Sequence, residues 1–167
     1  PSLGTLVRIG QENSIYGVVS GVVTSSLDPS RRVIARGGDV EVEDEVYREN
    51  PQLERLLRTD VEVMVVGHID EDRQLRQYLP PLPPRVHAFV YVCTAEEARG
   101  FTERLEFLSL LTSARTPTMD DVLGSCLRHL ALMEEDRDSF LLRASQAIAV
   151  LLAGEVQRLH QILRRLP

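Results

Sequence analysis

Four histidines, His68, His87, His129 and His160, and two cysteines, Cys93 and Cys126, are the side chains of this 167-residue chain best suited to hold a metal or move a proton. His68-Ile-Asp70 and His87-Ala-Phe can be drawn into metal or triad constellations, but neither has the close ligand spacing that makes a zinc signature specific. The four histidines fall in four different sequence elements and are expected to be structural. The two thiols are too few and too far apart for a thiolate site, and are expected to be buried and inert. Between Val40 and Val46 the order Val-Glu-Val-Glu-Asp-Glu-Val sets Glu41, Glu43 and Glu45 on one side of an alternating strand. That pattern fits a solvated outer face or guarded edge better than a cation site. Gly17 and Gly21 could cradle a phosphate, yet no helix pattern follows them and the chain has no lysine to complete a Walker loop. No nucleophile elbow, helical His-Glu-x-x-His or dinucleotide fingerprint occurs. The sequence therefore predicts no catalytic residue, no cofactor site and no metal site.

Charge and composition narrow the classes further. All 19 basic residues are arginine, set against 25 acidic ones for a net charge of −6, which argues against a broad nucleic-acid surface. Near the end, Arg143, Arg158, Arg164 and Arg165 face only Glu155, an arrangement expected to complement a helix dipole. A hydrophobic content of 43% suffices for a core. No apolar run approaches the roughly 20 residues of a membrane span, and the opening residues lack a secretory layout. A cytoplasmic, membrane-free protein is the expectation.

The elements that would position these residues change character at Cys93/Thr94. Residues 1–93 are expected to form a β domain and 94–167 a helical one. In the first, Leu3–Ile9, the glycine-punctuated Ile15–Val23, Arg32–Ala35, Val40–Val46, Val61–Ile69 and Gln74–Leu79 read as short strands, with a brief helix from Asn50-Pro51 carrying Leu53, Leu56 and Leu57. Asp70-Glu71-Asp72 is a hairpin turn. Gly17 and Gly21 supply the bends that a small closed antiparallel barrel needs. Tyr78–Pro84 holds four prolines and should be an extended polyproline-like strap leading into a buried strand, Val86–Val92. In the second domain Thr94 and Glu97 have capping-box spacing, and Ala98, Phe101, Leu105, Leu108 and Leu111 form the face of a first helix. Thr118 and Asp121 open a second helix, and a third runs from about Ser139 to Arg165, with Gly154 marking a bend. The expected fold class is α+β, a small closed antiparallel barrel followed by a bundle of about three helices.

Three stretches carry a family likeness. Leu-Val-Arg-Ile-x5-Ile-Tyr-Gly-Val-Val-Ser-Gly-Val, from Leu6 to Val22, resembles the amino-terminal barrel (HAS-barrel) of bacterial HerA-type ATPases, hexameric DNA translocases related to FtsK. Val65-Val-Gly-His68 and the run from Leu79 to Val92 resemble the same group. The resemblance implies a module that sits on a motor ring, helps hold the hexamer together and offers a platform to a NurA-type nuclease in DNA-end processing, with DNA met only through the full assembly. The Walker motifs and arginine finger of that family's motor core do not occur in these residues, so the chain alone is expected not to hydrolyse ATP. Ring contacts are expected to pair the acids Glu41, Glu43 and Glu45 with Arg31, Arg32 and Arg36 of a neighbouring copy. Two other classes compete: a free-standing adaptor docking through the proline strap or the long helix, and a small metal-dependent hydrolase using His68, Asp70 and the carboxylates near Glu43.

Overall fold

The computed structural model describes residues 1–11, 14–26 and 57–166. Arg31, Arg32, Arg36, Glu41, Glu43 and Glu45 lie outside them, as do the expected strands Arg32–Ala35 and Val40–Val46 and most of the helix after Pro51. Two compact units result, one of Pro1–Ser20 with Val63–Pro167 and one of Gly21–Glu62.

Among the described residues five strands come before the first helix: β1 (Leu6–Ile9), β2 (Ile15–Ser26), β3 (Leu57–Ile69), β4 (Leu75–Arg76) and β5 (Val90–Val92). Their order is β4-β3-β2-β1-β5, an antiparallel sheet that curls into an open half-barrel. The α+β class agrees with the sequence, but the closed barrel is corrected. Closure needs a ladder between the two outer strands, and these hold only two and three residues. The Gln77–Phe89 connection between them contains four prolines, which have no amide to give to a ladder.

Register assigns the faces. Leu6 sits opposite Val18 and Arg8 opposite Tyr16, while Val7 sits opposite Gly17 and Ile9 opposite Ile15. The alternation of a strand puts the first two pairs on one face and the last two on the other. Leu6 and Val18, with Val66 of β3, join the helices in one buried cluster. Gly17 is needed for close approach, because a Cβ there would collide with Val63 Cγ1 and come within 3.1 Å of the Met64 carbonyl. Gly21 differs, since its Cβ would meet only the movable carboxylate end of Glu62. Gly4, at φ +81°, brings the N-terminal turn onto a helix backbone with no room for a side chain.

Five helices follow among the described residues: α1 (Ala95–Thr102), α2 (Leu108–Ser113), α3 (Met119–Ala131), α4 (Arg137–Leu151) and α5 (Val156–Leu163). The expected three become five because two of them break. The Thr94 capping box forms as its spacing requires, with Glu97 N donating to Thr94 Oγ1 at 3.2 Å and Thr94 N donating to Glu97 Oε2 at 2.9 Å. Thr118 does begin a helix, but its side chain makes no cap. The third expected helix ends at Leu151 and restarts at Val156, with Gly154 in the break, and its first part is capped instead by Asp136, which accepts from Ser139 N.

Candidate docking surface

Of the residues first suspected of chemistry, His68, Asp70 and the two cysteines are engaged structurally, while His129 is half-buried on α3 with its Nδ1 lacking a hydrogen-bond partner among the described residues. His68 is 6% exposed, its Nδ1 lies 3.2 Å from the Tyr78 carbonyl, and its ring meets Tyr78 edge-on at 5.2 Å. Asp70 closes the β3–β4 hairpin. It accepts from Gln74 N at 2.8 Å and from Arg76 Nε at 2.6 Å, and these bonds, the first above all, hold its carboxyl below the usual range. His68 and Asp70 are thus committed to separate partners. His87 is exposed at the turn before β5, and His160 is exposed on α5. Among the described residues no three His, Cys, Asp or Glu side chains gather where an ion could be held. Cys93 and Cys126 are free and buried, and burial pushes both thiols up to about 12, so the reactive thiolate is disfavoured.

The basic end of the chain is corrected as well. Arg158 grips Asp120 through Nε at 3.0 Å and Nη2 at 2.8 Å, and Arg165 Nε donates to Asp121 at 2.6 Å. Both acids lie in the first turn of α3. Asp121, expected at a helix cap, instead ties α5 to α3, and Gly124 leaves space for the Arg165 side chain. Arg158 and Arg165 are thus placed by tertiary ion pairs, while Arg143 and Arg164 make no ion pair among the described residues and Arg164 stands at the C-cap of α5.

A residue that the sequence did not single out holds sheet and helices together. Gln77, 3% exposed, follows β4 and reaches the break between α1 and α2. Its Nε2 donates to the carbonyls of Phe101 at 2.6 Å and Arg104 at 3.2 Å, while its Oε1 accepts from Phe107 N at 3.1 Å. One amide side chain replaces backbone bonds that a continuous helix would have made. Around it Tyr16, Phe101 and Phe107 stack in sequence, each ring centroid 5.1 Å from the next. No local pattern marks Gln77, because its partners lie 24 to 30 residues away.

The stretch that follows Gln77 in the chain exposes its apolar side chains instead. Val86–Val92 was expected to be a buried strand; only Val90–Val92 pairs, and it is an exposed edge. Val86 is 84% exposed, Phe89 74%, Val90 51% and Val92 53%. Val90 and Val92 pair with Ile9 and Val7 but lie on the outer strand of the sheet, and for Val86–Phe89 the reason is the length of the partner strand. β1 ends at Ile9, which faces Val90, so the ladder has nowhere to continue beyond the single bond from Gly10 N to the Phe89 carbonyl. Upstream, a turn closed by Ala88 N to the Arg85 carbonyl carries His87 at φ +66°. Leu79 at 59% and Leu82 at 73% extend the exposed apolar run into the proline strap. Such a concentration is more than scattered surface leucines account for and has the character of an interaction surface. An open depression of about 690 Å³ elsewhere, bordered by Glu96, Arg99, Glu103, Glu134 and Arg143, mixes both charge signs without a convergent set of donors. No helix among the described residues is long and apolar enough to cross a membrane.

Compared with known proteins, the chain matches no family model, no curated protein and no solved structure.

Proposed function

We propose that this chain is a non-catalytic assembly and partner-docking module of a HerA-like DNA translocase, working in the cytoplasm. One observation carries the reading. The stretches that resemble that family, Leu6–Val22, Val65–His68 and Leu79–Val92, fall on β1, β2, β3 and, after the strap, β5, and these four strands are neighbours in one sheet. A likeness spread over three separate sequence runs thus converges on contiguous structure. The open sheet departs from the closed barrel that the resemblance implies, so the proposal rests on these strands and the surface they present. In this role the module takes no cofactor. It associates with copies of itself in a ring, through contacts between Arg31, Arg32, Arg36 and Glu41, Glu43, Glu45, and it presents a platform to a NurA-type nuclease.

Sedimentation velocity across protein concentration, at low and high salt, tests the ring. Arginine–carboxylate contacts predict a weak oligomer that grows with concentration and recedes with salt. A strict monomer at high concentration, or a tight dimer indifferent to salt, would overturn the reading.

A further inference from the structure

The strap from Leu79 to Arg85 reads Leu-Pro-Pro-Leu-Pro-Pro-Arg, two apolar–proline pairs three residues apart followed by a cation three residues further on. Polyproline II has three residues per turn, so along a straight strap Leu79, Leu82 and Arg85 share one edge while Pro80 and Pro83 share the next. We propose that Leu79–Arg85 is a docking peptide for a partner domain whose groove is lined with aromatic side chains and carries carboxylates to meet Arg85.

Four observations support the assignment. The two leucines are exposed, at 59% and 73%. The strap's backbone is also uncommitted. Its ends are pinned where Tyr78 O meets His68 and Phe89 O meets Gly10 N, and between them the Ala88–Arg85 turn is the one backbone bond among the described residues. The carbonyls of residues 79–84 are therefore open to donors from a groove. Thirdly, no carboxylate occurs from Tyr78 to Cys93, whereas the chain as a whole has a net charge of −6. Arg85 is exposed and forms no ion pair among the described residues, so it is available to an acidic partner. Lastly, the strap bends at Pro81 and Leu82. Leu79, Pro80, Leu82 and Pro83 each precede a proline and are held extended by it, but Pro81 is followed by leucine and keeps a free ψ. Straightening this bend breaks no hydrogen bond among the described residues, and the proline rings leave little chain entropy to lose. A second copy is a poor source of the groove, since the chain has no tryptophan and is only 5% aromatic.

The inference stands on the strap alone, so a monomer in the sedimentation experiment would leave it intact. Its test titrates the full chain with an SH3 domain that reads P-x-x-P-x-R peptides, used as a probe of the ligand chemistry. Saturable binding is expected. Leu82→Ser and Arg85→Glu should each weaken it at least about tenfold with the melting temperature unchanged, and salt should weaken it in the parent protein. Leu132→Ser, at an exposed leucine elsewhere on the surface, should leave binding as it was. Absence of saturable binding, or binding indifferent to both strap variants, would overturn the proposal. So would a self-association abolished by Leu82→Ser, which would mean that a second copy covers the strap.

Discussion

Two stretches of similar apolar content, Leu79–Val92 and Phe101–Leu111, have opposite fates. In the second, Phe101, Phe107, Leu108 and Leu111 are each at most 1% exposed; in the first, Leu79, Leu82, Val86 and Phe89 are each at least 59% exposed. Hydrophobicity does not separate them. What does is the treatment of the backbone, because a buried carbonyl or amide without a partner costs about 1–3 kcal/mol. The helices satisfy their own backbone, and Gln77 satisfies the break between α1 and α2. In the strap four prolines supply no donors, and β1 is too short to reach beyond Phe89. Its carbonyls are left to water, so its leucines stay at the surface with them.

The largest test of this contrast removes the clamp. Gln77→Ala strands the Phe107 amide and the Phe101 carbonyl in a dry site, and should cost about 2–4 kcal/mol in urea unfolding. A cost below 1 kcal/mol would mean that water or a shifted helix replaces the amide. Next in size is a test of the sheet beneath. Gly17→Val should destabilise by about 1–3 kcal/mol, because Val63 and the Met64 carbonyl crowd the site. Gly21→Val should stay within about 0.5 kcal/mol, since only the end of the Glu62 side chain must move. Equal losses at the two glycines would contradict that division.

Acid offers a smaller lever. Glu97 accepts from the Thr94 amide and from Arg8 Nε at 2.8 Å, and these bonds, the Thr94 bond foremost, set its pKa below the usual 4.5. A carboxylate with a lowered folded pKa stabilises the protein above pH 4.5, and this contribution is lost as the pH falls through the lowered value. Glu97→Ala should therefore cost about 0.5–2 kcal/mol at neutral pH and progressively less in acid. A pH-independent difference between variant and parent would assign the loss to packing instead. The smallest effect belongs to the strap, where Leu82→Ser should change stability by no more than about 0.5 kcal/mol. A melting point lowered by several degrees would show that the strap contributes to the fold and would erase the contrast.

Where the physics is local, the sequence determined the outcome. The Thr94–Glu97 capping box, the turn at Asp70–Asp72, the strand ending at Ile69 and the helix starts near Thr94 and Thr118 all follow from neighbours within a few residues. The α+β class follows from the same short-range periodicities. Tertiary structure decided the rest. Whether the sheet closed depended on the lengths of β4 and β5, which no single strand's pattern reveals. The long apolar face from Ala98 to Leu111 fits one helix as well as two, and Gln77, distant in sequence, stabilises the broken form. Asp121 had equal chemical capacity to cap α3 or to hold Arg165, and the return of α5 across α3 selected the second. Val86–Val92 has the residues of a buried strand, but burial needs a partner strand long enough to take its hydrogen bonds, and β1 stops at Ile9.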